Sequence, residues 1–274
     1  MTIYVLPFEK MHGLGNDFII LEKRNLPREV DLSKLAKQLC HRNFAIGADG
    51  LIILETVGHK SADFVWRYFN SDGFEAEMCG HGMRCFAKYV FEKGFTDKNT
   101  FTVLTKAGVL TPSIEVDGTI TVNMATPKLP ENTLEKLEIN SEEVTYTYVE
   151  VGNPHCVIFR SGNIDDSDFF RLGPLIEKSK IFPNGTNVEF AKIVSRKEII
   201  CRVWERGCGP TLACGTGACA VLIAAVINDL CDFNAKVFLP GGVLNVKFDE
   251  RLNNVFLNGS ADFVFSGQFN LNLN

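Results

Sequence analysis

The stretch GACAVLIAAVI, residues 217–227, is apolar on every face when it is wound as an α-helix. A helix with no polar face has to be surrounded by protein. Much of the remaining chain alternates between apolar and polar residues over short runs, for example at Phe64–Asn70 and 199–205, a pattern typical of strands. The sequence therefore predicts an α+β fold in which a sheet is wrapped around a central helix.

The residues that precede this helix have a counterpart earlier in the chain. CGTG at 214–217 corresponds to CGHG at 79–82, which opens a second predicted helix from Met83 to Lys93 that stops at Gly94. Four more segment pairs recur at offsets of 134 to 137 residues: 15–18 with 152–155, 67–70 with 202–205, 108–110 with 242–244, and 120–123 with 255–258. A recurrence in the same order and at nearly constant spacing indicates two homologous, pseudo-symmetric halves.

The repeat divides the chain into two domains. We predict an N-terminal half at 1–124 and a C-terminal half at 125–262, which begins with a polar linker at 126–145. Residues 263–274 alternate like a strand and have no counterpart after the first half, so we expect them to complete the sheet of that half. Residues 30–42 carry apolar side chains at helical spacing and are predicted to form a helix.

The composition argues against several kinds of partner. The net charge is −5, the isoelectric point is about 5.6 and no block of like charge is present, so neither nucleic acid nor an anionic membrane is an expected partner. The longest apolar run, 218–227, is too short to cross a bilayer, and the first ten residues lack the features of a signal peptide. The nine cysteines follow no disulfide-scaffold spacing, which favours a reducing cytoplasm.

Cys79 and Cys214 combine two features that favour acid–base chemistry. At a helix start the first N–H groups have no helical partner and the dipole favours negative charge, so such an end binds a carboxylate. The glycines around each motif let a ligand approach the backbone closely. The same field is expected to lower the pKa of both thiols, by about 1–5 units. Each half thus offers one activated thiol beside one anion site.

Two such thiols would allow inversion at a carbon atom. One thiolate removes the α-proton of an amino acid, and the opposing thiol returns a proton on the other face. The N–H groups that bind the α-carboxylate would stabilise the negative charge that spreads into it. This hypothesis requires neither a metal nor an organic cofactor.

The cysteine pattern is also compatible with roles that involve no acid–base chemistry. A buried cysteine at a helix start is commonly structural. A zinc site would use Cys79, Cys85, Cys214 and Cys219, but residues five or six apart on a helix point away from each other, and no Cys-x-x-Cys pair is present. A redox disulfide module would normally bring its two thiols close in sequence. A binding protein for a dicarboxylic amino acid would need neither thiol.

Six motifs together resemble the diaminopimelate epimerases: KMHGLGNDF (10–18), GADGL (47–51), FNSDGFEAEMCGHGMRC (69–85), GNPH (152–155), TNVEF (186–190) and ERGCGPTLACGTGAC (205–219). The resemblance runs from Phe8 to the C-terminus. It implies two similar halves, each a mostly antiparallel, barrel-like sheet around a central helix, with the active site in the cleft between them. It also implies a homodimer, independence from pyridoxal phosphate, and interconversion of LL- and meso-diaminopimelate.

By this resemblance Cys79 and Cys214 are the acid–base pair. The α-carboxylate would be bound by backbone N–H groups, with Asn16 nearby, at Gly80, His81, Gly215 and Thr216. The distal amino acid end of the substrate would be held by Asn70, Asn153, Asn187 and Arg206. A guanidinium matches a carboxylate bidentately, which suits Arg206 to this role. His155 and Glu205 would lie close to the reacting centre and tune the thiols or orient the amine.

Three positions depart from the pattern of the family, which usually has Asn at His81, Ser at Phe74 and Glu at Pro210. Backbone binding of the carboxylate would survive at His81, but its imidazole is expected to add a titrating group beside Cys79. This group could change the pH optimum or the substrate. The alternative function is therefore a racemase of the same fold that acts on another amino acid, such as histidine or a sulfur-bridged analogue of diaminopimelate.

Overall fold

The computed structural model describes residues 2–56, 61–124, 126–130, 132–251 and 253–273. The chain divides into two units, the first comprising Met1–Val122 with Gly259–Asn274 and the second Asn123–Asn258. The predicted boundaries at 124 and 262 lie a few residues beyond these. Glu131 of the predicted linker lies outside the described residues.

The first unit contains two α-helices and the whole of one eight-stranded sheet. Its helices are α1 (Leu32–Cys40) and α2 (Gly80–Glu92). Its strands are β1 (Thr2–Gly13), β2 (Asn16–Glu22), β3 (Gly50–Glu55), β4 (Phe64–Asn70), β5 (Glu75–Ala76), β6 (Val103–Thr105), β7 (Gly108–Leu110), β8 (Ser113–Ile114), β9 (Ile120–Asn123) and, from the C-terminus, β19 (Asp262–Leu273). The sheet order is β19-β1-β2-β3-β4-β6-β7, with β5 paired to β4. A 3-10 turn at Lys23–Asn25 follows β2.

The second unit also contains two α-helices and a long sheet. Its helices are α3 (Asp166–Glu177) and α4 (Gly215–Ile227). Its strands are β10 (Glu135–Ile139), β11 (Glu142–Glu150), β12 (Pro154–Phe159), β13 (Asn187–Ser195), β14 (Glu198–Glu205), β15 (Gly209–Thr211), β16 (Asn234–Leu239), β17 (Gly242–Phe248) and β18 (Val255–Gly259). The order is β10-β11-β12-β13-β14-β16-β17-β18, with β15 paired to β14.

The two sheets share one topology. In the first unit β2 pairs with β3, and β4 with β6, in parallel, while the other pairs along the sheet path are antiparallel. In the second unit β12–β13 and β14–β16 are the corresponding parallel pairs. Outside this common order, β19 pairs along β1 and β10 pairs along β11. The predicted α+β fold with two similar, mostly antiparallel halves is confirmed.

Helix α4 is the centre of the second unit. Every residue from 218 to 225 is fully buried, and the helix packs against β11, β12, β13, β14, β16 and β17. Burying one Val, Leu or Ile side chain contributes about 1.5–3 kcal/mol, so this helix is a large part of the core. The prediction that its apolar circumference is surrounded by sheet is confirmed.

Helix α2 has a similar place but a different surface. It packs against β1, β2, β3 and β8. Lys88 and Glu92 form an ion pair one turn apart, which is typical of a solvent-facing side of a helix. Arg84, which the sequence places on the same stripe, is instead fully buried, and its Nε donates to the carbonyl of Ser260 at 3.1 Å. The helix gives way to Gly94, whose φ of +73° ends the helical backbone as predicted.

Helix α3 has no counterpart among the predicted elements. It contains Gly173 and Pro174, a dipeptide that normally marks a turn. Gly173 is required because a Cβ atom there would lie 2.8 Å from the ring of Trp204. The N-cap Asp165 accepts from the N–H of Asp168 at 3.0 Å, which begins the helix. Tertiary packing on Trp204 thus favours a helix that the local sequence does not predict.

The polar segment predicted as a linker forms a hairpin in part. Strands β10 and β11 are joined at Asn140 and Ser141, which both have positive φ, as a two-residue type I′ turn requires. Among the described residues we find no helix of the length and apolarity that a membrane span needs.

Candidate active site

Both cysteines of the repeated motif are helix N-caps. Cys79 precedes α2 with φ −144° and ψ 119°, and Cys214 precedes α4 with φ −130° and ψ 117°. The N–H of Gly82 donates to Sγ of Cys79 at 3.5 Å, and Sγ of Cys214 lies 3.5 Å from Oγ1 of Thr216. Helix geometry leaves the first N–H groups, including those of the residue pairs 80–81 and 215–216, without an intrahelical acceptor. The backbone of both halves therefore provides the predicted combination of a thiol and N–H donors.

The last glycine of each motif allows close packing under the helix start. A Cβ atom on Gly217 would lie 2.8 Å from Oε1 of Glu189 and 3.4 Å from Sγ of Cys214. A Cβ atom on Gly82 would lie 3.0 Å from the ring of Trp66 and 3.3 Å from Ile52. Neither glycine has a positive φ, so the constraint is one of space: it is severe at Gly217, whereas at Gly82 the neighbours would have to move by a few tenths of an ångström.

The environment of Cys214 contradicts the expected lowering of its pKa. Burial raises the pKa of this thiol well above its ordinary value, and the charges of Glu205 and Glu189 raise it further. Hydrogen bonds with Thr216 and with the N–H of Gly217 act in the opposite direction. The expectation is wrong for Cys214 because loss of water and two carboxylates outweigh the field of the helix. The protonated thiol is the favoured form in the protein without substrate.

Glu205 lies beside this thiol, as its predicted role requires. Burial raises the pKa of its carboxyl group, while hydrogen bonds with Thr211 and Cys214 lower it. The hydroxyl of Thr211 donates to Oε1 of Glu205 at 2.5 Å. The end of β14 thus places a carboxylate beside the thiol at the start of α4.

His155 is fully buried and is held from two sides. Its Nδ1 lies 2.7 Å from Oε1 of Glu189, and its Nε2 lies 2.8 Å from Oδ1 of Asn153. Glu189 belongs to the motif TNVEF, but the motif alone predicts no role for it. A glutamate between apolar residues of a buried strand is the signal that could have identified it.

Asn187 and Arg206 are joined by a hydrogen bond, and Asn187 also contacts the start of β12. Nδ2 of Asn187 donates to the carbonyl of Pro154 at 2.9 Å, and the N–H of Arg206 donates to its Oδ1 at 3.0 Å. The exposed side chain of Arg206 donates through Nη1 to the carbonyl of Asn184 at 3.2 Å. An amide has two donors and two lone pairs, and a guanidinium has five donors, so both groups retain hydrogen-bonding capacity.

His81 does not supply the titrating group that its sequence position suggests. The ring is 1% exposed, and Nδ1 donates to the carbonyl of Gly13 at 2.6 Å. Burial and the charge of Arg84 lower the pKa of this imidazole to about 3. The expectation is wrong because the ring is desolvated beside a cation, so it stays neutral at physiological pH. Its Nε2 is buried and has no hydrogen-bond partner within the described part of the chain.

Asn16 begins β2 and Asn70 ends β4, and β3 lies between these two strands in the first sheet. Asn16 follows a turn in which Leu14 and Gly15 have positive φ, and its buried Oδ1 has no hydrogen-bond partner among the described residues. Asn70 ends β4, where its N–H donates to the carbonyl of Phe74 at 2.9 Å. Both side chains are half-buried.

A cluster of four charged side chains lies beside Asn16. Arg42 donates two hydrogen bonds to Asp17, at 2.8 and 3.1 Å, and one to Asp49 at 2.7 Å, while Lys10 lies 2.6 Å from Asp17. Burial alone would raise the pKa of Asp17, but the hydrogen bonds with Arg42, Lys10 and Asp49 together hold it well below its usual range. The cluster therefore fixes the backbone on which Asn16 is carried.

The fold occurs in a solved epimerase structure. A hydroxyproline epimerase from Agrobacterium vitis matches with a TM-score of 0.73, covering 98% of this chain and 92% of that one, at 14% sequence identity. At this identity the likeness defines the fold class, a two-domain α+β architecture shared with that epimerase.

The similarity in sequence identifies the family more specifically than the similarity in fold. The family model described as diaminopimelate epimerase matches residues 8–130 and 147–264. A diaminopimelate epimerase from Desulfitobacterium hafniense is 43% identical over 275 residues, which is 94% of this chain and 96% of that protein. One from Halothermothrix orenii is 45% identical over 283 residues, covering 96% and 97%. The chain belongs to the diaminopimelate epimerase family.

Proposed function

We propose that this protein is an isomerase that interconverts LL- and meso-diaminopimelate and uses Cys79 and Cys214 as its two acid–base groups. The observation that carries the proposal is the repeated arrangement of a cysteine N-cap, glycines and open N–H donors at the starts of α2 and α4. The membership of the chain in its family supports the choice of substrate. The alternative substrates, histidine and the sulfur-bridged analogue, find no support in the names of these relatives.

The proposed reaction proceeds by two proton transfers. A thiolate on one face of the α-carbon takes the α-proton, and the electron pair of the broken C–H bond spreads into the α-carboxylate. The thiol on the other face then gives its proton to the carbon and is left as a thiolate. The raised pKa of Cys214 favours the form that gives a proton. No cofactor or metal takes part in this scheme.

Preorganised donors would stabilise the intermediate charge. In the proposal the backbone N–H groups of Gly80, His81, Gly215 and Thr216 bind the α-carboxylate, since helix starts favour an anion. Asn16 assists them, and its buried Oδ1 can accept from the substrate ammonium. Asn70, Asn153, Asn187, Glu205 and Arg206 bind the remaining polar groups of the substrate, and His155 orients the site.

Hydrogen exchange tests this proposal directly. Incubation with LL-diaminopimelate in deuterium oxide should place deuterium at the α-carbon and yield the meso form. Cys79→Ala and Cys214→Ala should each abolish net epimerisation, because general acid–base catalysis contributes about 10²–10⁴-fold in rate. Cys208→Ala, at an exposed position, is the matched control and should retain activity. Near wild-type turnover in either of the first two variants would refute the two-thiol scheme.

We also infer a homodimer and a reducing, cytoplasmic location. β19 ends the order of its sheet, and β1 and β19 carry several exposed apolar side chains, at Ile3, Val5, Val264 and Phe265. A long edge strand with apolar exposure favours pairing with another chain. Thiols that act as acid and base have to stay reduced, which favours the cytoplasm.

A further inference from the structure

Glu189 is a buried acid without an assigned role. It lies on β13 and is 0% exposed, as is its partner His155. Oε1 accepts the hydrogen bond from Nδ1 of His155, while Oε2 has no hydrogen-bond partner among the residues that the structure describes. An acid in these surroundings is expensive, because desolvation of a charge is compensated only by good partners.

The same carboxylate lies against the start of α4. Its Oε1 is the atom that a side chain at Gly217 would meet first, at 2.8 Å, and Sγ of Cys214 lies next to the same point at 3.4 Å. The absence of a Cβ atom at Gly217 thus allows Glu189 and the thiol to lie close together. A side chain of β13 is thereby placed against the first turn of α4.

The first unit has the same topology but no counterpart of the His155–Glu189 pair. In the parallel pair of β2 and β3, Phe18 lies opposite Gly50, and Ile52 follows two residues later. In the parallel pair of β12 and β13, His155 lies opposite Asn187, and Glu189 follows two residues later. The positions of His155 and Glu189 therefore correspond to those of Phe18 and Ile52.

The contacts of the helix starts agree with this correspondence. Gly82 in α2 faces Ile52, whereas Gly217 in α4 faces Glu189. Phe18 and Ile52 are fully buried apolar residues, so the fold is stable with an apolar pair at this place. Replacing both partners of a buried polar or ionic pair by apolar residues is often neutral or stabilising. Retention of His155 and Glu189 in the half that carries Cys214 therefore points to function.

We propose that Glu189 is a positioning residue for Cys214, which orients the imidazole of His155 through Nδ1 and keeps the thiol protonated until substrate is bound. The inference rests on the proposed function in one respect, that Cys214 is an acid–base group. It makes the two thiols chemically different, because the start of α2 faces Ile52 and Trp66 where the start of α4 faces a carboxylate.

The charges around Cys214 determine the direction of the expected effect. The thiol faces Glu205 from β14 and Glu189 from β13, with His155 of β12 beside Glu189 and Thr216 within α4. Burial and both carboxylates raise the pKa of Cys214. Removing one negative charge while keeping the shape of the side chain should therefore lower that pKa and favour the thiolate.

Alkylation of the protein without substrate measures this effect. In Glu189→Gln, iodoacetamide should label Cys214 with a midpoint at lower pH than in the wild type, as read by mass mapping of the Cys214 peptide. One pKa unit corresponds to about tenfold faster labelling at a fixed pH below the midpoint. Exchange of the α-hydrogen of diaminopimelate should slow at the same time, on the order of 10²-fold, the lower end of general acid–base effects.

Glu177→Gln is the matched control. Glu177 is also buried in the second unit, where Oε1 accepts from the N–H of Gly207 at 2.8 Å and Oε2 from Nε1 of Trp204 at 2.9 Å. This variant removes a buried charge from α3 and replaces one of its two acceptor oxygens by an amide group that cannot accept. It should lower the stability of the protein and leave the pH profile of Cys214 labelling unchanged.

A second variant keeps the test decisive if Glu189→Gln does not fold. The double substitution His155→Phe with Glu189→Ile copies the pair of the first unit, so it should fold and lose exchange activity. Three results would each overturn the inference. They are an unshifted labelling profile in a folded Glu189→Gln protein, the same shift in Glu177→Gln as in Glu189→Gln, and a double variant that keeps its exchange activity. Labelling does not depend on turnover, so the labelling profiles test the role of Glu189 by themselves. A wild-type protein that fails to exchange diaminopimelate would instead refute the proposed function.

Discussion

Arg206 presents a guanidinium whose position is fixed by its own backbone. Its N–H donates to Asn187, and Nη1 donates to the carbonyl of Asn184, so the side chain is directed by two contacts that leave further donors for a ligand. A guanidinium binds a carboxylate with two parallel hydrogen bonds, which an ammonium cannot copy. In the proposed site, carboxylate binding would therefore depend on the identity of this residue and not on its charge alone.

Arg206→Lys should therefore weaken substrate binding although the charge is kept. The expected cost is about 1.5–3 kcal/mol, typical of a hydrogen bond to a charged group. This corresponds to about a 10- to 150-fold rise in KM for diaminopimelate. Steady-state kinetics check it, with Arg171→Lys as the control because Arg171 pairs with Glu142 and Asp168 away from the motif residues. Unchanged kinetics for Arg206→Lys would remove Arg206 from the binding site.

Asp17 should make the stability of the protein depend on pH. Its folded-state pKa is held well below its usual value, so its stabilising effect is present above the unfolded pKa of about 3.9 and is lost as the pH falls through the folded value. Asp17→Asn should lose about 1.5–3 kcal/mol at neutral pH, because Lys10 and Arg42 lose a charged acceptor.

Urea unfolding at neutral pH and below pH 4 (about the unfolded pKa) measures this loss. The difference between wild type and Asp17→Asn should shrink as the pH falls. Lys34→Ala, which removes only an exposed ion pair with Asp31, should show no such trend. A difference that stays constant with pH would contradict the assignment of the low pKa to Asp17.

At this scale the sequence marks the candidate reactive side chains but not their protonation. Cys79, Cys214, His155 and Glu205 are marked by motif and position. The pKa of Cys214 depends on Glu189 and Glu205, which reach it from two strands, and on burial by the whole unit. Local helix-dipole reasoning has no access to these distant groups, and for that reason it predicts the wrong direction.

At the scale of elements, the start of α4 is closely packed at the place where the proposed chemistry of the second unit occurs. Gly217 has an ordinary φ, so its requirement for glycine is one of space alone. Gly217→Ala should force Glu189 or the first turn of α4 to move, at a cost of about 1–3 kcal/mol for overpacking. Because the shifted atoms include the thiol, activity should fall by more than stability does.

Thermal unfolding and α-hydrogen exchange of Gly217→Ala test this expectation together. Gly162→Ala is the matched control, since a Cβ atom there meets nothing within 4 Å and the residue has no positive φ. It should be neutral in both measurements. A Gly217→Ala protein with wild-type exchange would show that the approach of Glu189 to the helix start is not needed for activity.

Helices and strands with a clear hydrophobic periodicity can be predicted from the sequence. Elements that depend on tertiary packing cannot. The apolar circumference of α4 and the alternation of Phe64–Asn70 identify their structures directly. Helix α3 carries Gly173 and Pro174, and its helical state depends on packing against Trp204, which is distant in sequence. The polar segment before β11 has weak alternation, so β10 is recognisable only from its pairing.

At the scale of the whole chain, duplication explains the organisation. The constant offset of the repeats is matched by two sheets with one strand order and the same two parallel pairs. The copies have since diverged in their buried positions, with Phe18 and Ile52 in one and His155 and Glu189 in the other. Sequence reasoning recognises the duplication because glycines and cysteines are retained, and misses the divergence because single buried positions carry no periodic signal.

The edge of the first sheet provides a test of the proposed dimer. Val5 is 51% exposed on β1 and Val264 is 51% exposed on β19, which has β1 as its neighbour at the end of the sheet order. A stable dimer buries about 1,200–2,000 Å² in total, and charges at the centre of such an area are strongly disfavoured. The double variant Val5→Lys with Val264→Lys should therefore be monomeric and should keep its fold, because both side chains are exposed within one chain. Light scattering after gel filtration gives the mass, with Val116→Lys as the control at a fully exposed valine elsewhere in the same unit. Wild-type mass near one chain (30.5 kDa) would refute the dimer itself, and a dimeric double variant would assign the interface to another surface.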